Sequence, residues 1–121
     1  MKTCLIVDDS SVIRKVARRI VEGMAFTVTE CEDGVQALGL CEKQLPDAVL
    51  LDANMPKMDG YEFLRALRRI PGGDKPKVVF CPTDNDVAVV ARALHAGADE
   101  ILLKPFDKDI VEAKFNAAGL I

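Results

Sequence analysis

The stretch Ala48-Val49-Leu50-Leu51-Asp52-Ala53-Asn54-Met55-Pro56-Lys57-Met58-Asp59-Gly60 decides how the rest of the chain is read. Its opening apolar residues do not alternate with polar ones, which marks a strand buried on both faces, and the carboxylate of Asp52 stands at the strand's exit. Two other apolar runs end in the same manner: Cys4-Leu5-Ile6-Val7 leads into Asp8-Asp9, and Ile101-Leu102-Leu103 into Lys104-Pro105. Laid parallel, such strands bring three carboxylates and one ammonium to a single edge of a sheet.

Between these runs the hydrophobic period lengthens to that of a helix, so the expected class is α/β: a five-stranded parallel sheet, doubly wound as (βα)5. Strands are expected at residues 3–7, 26–31, 48–51, 77–81 and 101–103. Ser10 or Ser11 caps the first helix, whose apolar positions are Ile13, Val16, Ala17, Ile20, Val21 and Met24. Asp33-Gly34 opens the second, with Leu38, Cys41 and Leu45 on one face until Pro46. Asp59 and Glu62 have capping-box spacing for a third helix over 60–70, which Pro71-Gly72-Gly73 ends. A fourth starts near Asp84 or Asn85, turns Val87, Val90, Ala91 and Leu94 inward and closes at Gly97. Asp107 caps the last, which carries Val111, Phe115 and Ala118.

Composition bounds the function. The 121 residues suit one domain over 1–121, with 50% hydrophobic and 29% charged residues. A net charge of -3 argues against nucleic acid as the principal partner, so no DNA is expected. No apolar run reaches the ~20 residues that span a bilayer and the start lacks a signal-peptide pattern, so no membrane partner and a cytoplasmic location are expected, with a monomer as the default. Cys4, Cys31, Cys41 and Cys81 form no C-x-x-C pair and read as reduced, buried small hydrophobes. His95, the lone histidine, reads as a surface or partly packed helix residue rather than a ligand or phosphodonor. Arg14, Lys15, Arg18 and Arg19 read as the outer face of the first helix, solvated or presented to a partner. Arg65, Arg68 and Arg69 read as a solvated face or an anion site such as one for a nucleotide second messenger.

Chemistry follows from the strand ends. Carboxylates a few ångströms apart repel by about 4 kcal/mol per pair at an effective dielectric of about 20, so Asp8, Asp9 and Asp52 call for a neutralising cation. Mg²⁺ fits, since it takes a few carboxylates and completes its shell with water and phosphate oxygens. Lys104 would add a fixed positive charge toward an oxyanion. An aspartate between a metal and a lysine is equipped to attack phosphorus and form an acyl phosphate.

Val7-Asp8-Asp9-Ser10, Asp52-x-Asn54-Met55-Pro56-x-Met58-Asp59-Gly60, Ala96-Gly97-Ala98 and Lys104-Pro105-Phe106, in that order and spacing, resemble the response-regulator receiver family, and more narrowly its single-domain chemotaxis-type (CheY-like) members. The resemblance covers essentially the whole chain. It implies a flavodoxin-like receiver fold and a stand-alone response regulator of a two-component phosphorelay. Asp52 would accept phosphate from a histidine kinase or histidine phosphotransfer protein, with the domain assisting its own phosphorylation and dephosphorylation. Asp9 would bind Mg²⁺ directly, Asp8 mainly through water, and the Asn54 backbone carbonyl would complete the metal set. Lys104 would contact the phosphoryl group, and the Lys104-Pro105 bond would be cis. Output would be by contact with a downstream protein, a flagellar-motor or cell-cycle component being the candidates the family suggests.

The chain departs from that pattern in four places. Pro82 stands where most receivers carry a switch Ser or Thr, and it has neither hydroxyl nor N–H. Thr83, next to it, is the candidate substitute. Ile101 stands where an aromatic residue is frequent, and the last helix is short. Ala53 is small and is expected to leave Asp52 open. A phosphorylation-independent adaptor is therefore a second reading; a small aspartyl phosphohydrolase is a third, disfavoured because the D-x-D pattern is absent and there is no room for a substrate cap.

Overall fold

The computed structural model describes all 121 residues. Strands β1 (Thr3–Val7), β2 (Thr27–Cys31), β3 (Ala48–Asp52), β4 (Lys77–Cys81) and β5 (Glu100–Ile101) form one parallel sheet in the order β2-β1-β3-β4-β5. Helices α1 (Ser11–Glu22), α2 (Gly34–Lys43), α3 (Gly60–Arg69), α4 (Val87–Ala96) and α5 (Lys108–Ala117) alternate with them, giving the doubly wound, flavodoxin-like class expected.

Alternation along the central strands feeds two cores. Leu5, Val7, Val49, Leu51, Val78 and Phe80 face α2, α3 and α4, where they meet Ala37, Phe63, Leu64, Leu67 and Ala93. Cys4, Ile6, Ala48, Leu50, Val79 and Cys81 face α1 and α5, packed on Ala17, Val21, Val111 and Phe115. Phe26 and Phe115 close the second core edge to face at 5.5 Å between ring centroids. Each large apolar side chain removed from water in these layers contributes about 1.5–3 kcal/mol. The four cysteines are buried free thiols. Burial pushes Cys4, Cys31 and Cys81 up to about 12, so they act as hydrophobes rather than nucleophiles.

The helix starts follow their caps. Ser10, Asp33, Asp59 and Asp107 each accept a hydrogen bond from a main-chain N–H in the first turn, and Asp59 with Glu62 forms the full capping box. Two elements differ from expectation by more than one residue. β5 ends at Ile101 rather than at residue 103: Leu102 still donates to the Phe80 carbonyl, and beyond it no further main-chain bond joins this segment to β4. α4 starts at Val87 because Asp84 accepts from the Asp86 N–H and Asp86 in turn caps through Ala88.

The inward face of α4 is also not the expected one. Val87 is 84% exposed and Leu94 48%, whereas Ala93 is buried and Val89 and Ala96 pack on the core. Val87-Ala88-Val89-Val90-Ala91 is apolar all round, so its period selects no face. Tertiary contacts select it: Arg92 lies over the Tyr61 ring at 3.8 Å, and Arg68 donates to the Gly97 carbonyl at 2.6 Å. Arg68 also bonds the Gly73 and Pro76 carbonyls and Asp99, so it is a structural clamp and not part of a free basic face; Arg65 and Arg69 remain exposed.

Candidate functional site

The pairing Val7↔Leu51 brings the ends of β1 and β3 level, so Asp8 emerges beside Asp52 at the point where the strand order reverses. Asp8 is buried and doubly held: Oδ1 accepts from the Ser10 N–H at 2.9 Å and Oδ2 from Lys104 Nζ at 2.8 Å. The same ammonium donates to Asp52 Oδ1 at 3.1 Å. Asp9, exposed, completes the acidic group, and carboxylate oxygens of Asp8, Asp9 and Asp52 all lie within 4.8 Å of one another. The residues expected from the sequence thus converge, with Lys104 against Asp8 as well as Asp52.

One ammonium does not balance three carboxylates. Burial, and then the charge of Asp8, raise Asp52 above the ordinary carboxylate range, against the pull of Lys104. For Lys104, burial opposes the charge, yet the hydrogen bond to Asp8 and the field of Asp52 leave the ammonium raised. The hard, anionic oxygen set, undercompensated by its lysine, suits a Mg²⁺ ion. Asn54 lines the same cleft, and no group of the chain donates to its main-chain carbonyl.

The loop after Asp52 is positioned by close approach. Gly60 N–H donates to the Ala53 carbonyl at 2.9 Å, and a Cβ on Gly60 would lie 2.3 Å from the Asp52 carbonyl oxygen. Gly34 donates to the Met58 carbonyl, where an added Cβ would meet that oxygen at 2.6 Å. Gly60 thus holds the start of α3 against the end of β3, and Gly34 ties the preceding loop to the start of α2. Ala53 does not open the site as expected: strand alternation turns it to the opposite face from Asp52, into the α2–α4 core at 1% exposure. The Asp52 side chain itself is 12% exposed.

The far wall of the cleft, about 540 Å³ in volume, is made by Pro82, Thr83 and the turn into α4. Pro82 is buried; Thr83 is exposed, and its Oγ1 accepts from Asn54 Nδ2 at 3.2 Å. The one hydroxyl on this wall is therefore one residue later than the expected switch position and tied to Asn54. Ile101 lies half-buried beside Phe80.

Two residues near the site escaped the sequence reading. Arg14, expected on a solvated face, donates through Nη1 to the Asp8 carbonyl at 2.5 Å and through Nε to Glu30 at 3.1 Å. Arg18 reaches the same Glu30 at 2.7 Å. The available signal was the pair of arginines four apart on α1 opposite a lone glutamate in a strand of threonines, valine and cysteine.

The family model for the response regulator receiver domain matches residues 4–116. The response regulator MprA of Mycobacterium sp. (strain KMS) is 41% identical over 113 residues, 93% of this chain and 48% of the relative. The chain thus spans about half the length of the curated relatives it matches. Among solved structures, the chemotaxis response regulator CheY4 of Vibrio cholerae superposes with a TM-score of 0.92 at 27% identity, covering 98% of both chains. The receiver domain of the sensor histidine kinase PA1611 from Pseudomonas aeruginosa, which has a magnesium ion coordinated in its active-site cleft, gives a TM-score of 0.86 at 27% identity and covers 98% of both chains. No helix of this chain is long and apolar enough to cross a membrane.

Proposed function

The chain belongs to the response regulator receiver family, and from that membership we propose that it is a phosphorylation-controlled signalling module whose phosphoacceptor is Asp52. The observation that carries this reading is the Lys104 ammonium bridging Asp8 and Asp52 inside a group of three carboxylates at the strand ends. The donor would be a phosphohistidine on a histidine kinase or histidine phosphotransfer protein. An Asp52 carboxylate oxygen forms the new bond to phosphorus as the P–N bond breaks; the departing imidazole, protonated on its other nitrogen, leaves neutral. Lys104 is held where it can accompany the negative charge of the transferring phosphoryl group.

Asp8, Asp9 and Asp52, with the Asn54 carbonyl, would hold Mg²⁺, as the donor set and its excess negative charge favour. When bound, the ion supplies charge neutralisation at the phosphoryl oxygens. Asp8 keeps the lysine and the acidic turn in register, and Thr83 offers the hydroxyl nearest the position that Pro82 leaves without one. Output would be by contact with a downstream protein, a reading supported by the likeness to the chemotaxis response regulator CheY4. The domain would catalyse no reaction on outside substrates beyond its own phosphorylation and dephosphorylation, and turnover of small phosphate esters would contradict this.

The test is phosphorylation by acetyl phosphate or a phosphorylated histidine phosphotransfer protein in Mg²⁺, read by intact mass. Incorporation that disappears in Asp52→Asn is expected; incorporation that persists would overturn the assignment. A second reading, a phosphorylation-independent adaptor with a receiver fold, is favoured by Pro82, which leaves the expected switch position without a hydroxyl. In that case Asp52→Asn would leave partner binding unchanged.

A further inference from the structure

We propose that Arg14 is a positioning residue for the acidic site: its guanidinium fixes the main chain of Asp8, and Glu30 on β2 fixes the guanidinium. Where β1 ends, the Asp8 N–H still finds a ladder partner, the Cys31 carbonyl at 3.1 Å. β2 ends at Cys31, so the Asp8 carbonyl has no next strand residue to meet. Arg14, one turn into α1, takes that acceptor at 2.5 Å. An unpaired carbonyl at this depth would be free to rotate, and the Asp8 carboxylate would turn with it.

The guanidinium has little freedom of its own. Its Nε pairs with Glu30 Oε1 at 3.1 Å, while the other Glu30 oxygen is held by Arg18 at 2.7 Å, and the Arg14 side chain is only 16% exposed. The hydrogen bonds from Arg18 and Arg14, working against a burial effect of the opposite sign, keep Glu30 below the usual carboxylate range. Arginine is suited to the task because its planar fork serves two acceptors in fixed directions, which a lysine ammonium does on one flexible stem. Asp8 is thereby held at N–H, carbonyl, Oδ1 and Oδ2 at once, by Cys31, Arg14, Ser10 and Lys104.

This role rests on the reading of Asp8, Asp9 and Asp52 as a Mg²⁺ site, and charge makes it testable. Arg14 is a cation near a divalent-cation site, so by Coulomb repulsion alone Arg14→Gln would tighten Mg²⁺ binding; positioning demands that it weaken. Mg²⁺ titrations followed by amide NMR would compare the full chain with Arg14→Gln, Arg14→Lys and Arg18→Gln, each checked for folding by thermal melting. The expected result is a Kd about fivefold or more higher for Arg14→Gln, a smaller weakening for Arg14→Lys, and less than a twofold change for Arg18→Gln, which removes a Glu30 partner but leaves the Asp8 carbonyl held. Equal or tighter binding in Arg14→Gln, or equal weakening in Arg18→Gln, would overturn the proposal. Should Arg14→Gln not fold, unchanged affinity in Arg14→Lys overturns it and weakening sustains it. If the parent chain shows no Mg²⁺ shifts at Asp8, Asp9 and Asp52, the metal-site reading itself fails, and the role of Arg14 toward it falls with it.

Discussion

The two walls of the acidic cleft are built differently. On the wall formed by the ends of β1 and β3, Asp8 has all four polar groups engaged, Gly60 holds the start of α3 on the end of β3, and Gly34 ties the loop between them to α2. On the wall formed by the end of β4 and the start of α4, Pro82 donates nothing, Thr83 is tied to Asn54, and residues 83–88 are exposed. α4 itself buries only Ala93 fully and is anchored at its far end by Arg68 on the Gly97 carbonyl. The difference teaches that placing reactive groups and transmitting a response make opposite demands. Asp8, which anchors the acidic group, is over-determined by hydrogen bonds, and an element able to move is held by few.

That contrast can be broken in a graded series. The largest effect is expected for Asp52→Asn, which should abolish phosphate incorporation from acetyl phosphate, and for Lys104→Met, which should slow it by about 10²-fold, since a charge preorganised at a transferring oxyanion is worth that order in rate. Retained rates in Lys104→Met would remove the lysine from the chemistry.

Next comes the packing contrast. Gly60→Ala forces a Cβ against the Asp52 carbonyl and should destabilise the fold by about 2–3 kcal/mol in urea unfolding, whereas Val87→Ala, at a site 84% exposed, should change it by less than about 0.5 kcal/mol. Comparable losses at the two positions would mean that the α4 wall is as firmly held as the other.

A third experiment asks whether the α4 wall can be restored as a switch. Pro82→Thr with Thr83→Ala returns a hydroxyl to the position after Cys81 and frees Asn54. Beryllofluoride-induced amide shifts, expected in the parent to stay near Asp9 and Asp52, should then extend into α4 and β5. No extension would show that Pro82 does not limit the response.

The smallest effect is electrostatic. Asp52 is raised in the fold, so its charge disfavours folding: its stabilising contribution is complete below the unfolded carboxylate value of about 3.9 and is lost as pH rises through the folded value. At neutral pH without metal, Asp52→Asn should therefore melt a few degrees above the parent, with the gain vanishing toward pH 3. Mg²⁺ reverses the order, since a tenfold excess over Kd stabilises the parent by about 1.4 kcal/mol and the variant by less. A gain in Asp52→Asn that persists at low pH would assign it to something other than the carboxylate charge.

Much of the molecule was legible in the chain. Uninterrupted apolar runs specify buried parallel strands, and the residue that follows each run must emerge at the sheet's carboxyl edge, so the chain alone brings Asp8, Asp9, Asp52 and Lys104 together. Caps were legible for the same reason, because Asp59 and Glu62 answer a local shortage of hydrogen-bond partners. Other features depend on neighbours distant in sequence. The inward face of α4 was misread since Val, Ala and Leu surround the helix; Tyr61 and Arg68, on α3, choose the face. Ala53 was misjudged because its burial depends on what covers that side of the sheet. Arg14 and Arg68 looked like surface charge, and only the ends of other elements, at the Asp8 and Gly97 carbonyls, turned them into internal donors.

By itself, then, the sequence determined the order of elements, the sheet edge and the groups that stand on it, because period, caps and strand exits are local properties of the chain. Only the tertiary structure decided which arginines are structural, which way α4 faces and that Thr83 bonds Asn54. Those outcomes turn on unpaired carbonyls and side-chain donors that come within reach of each other only after the sheet has assembled.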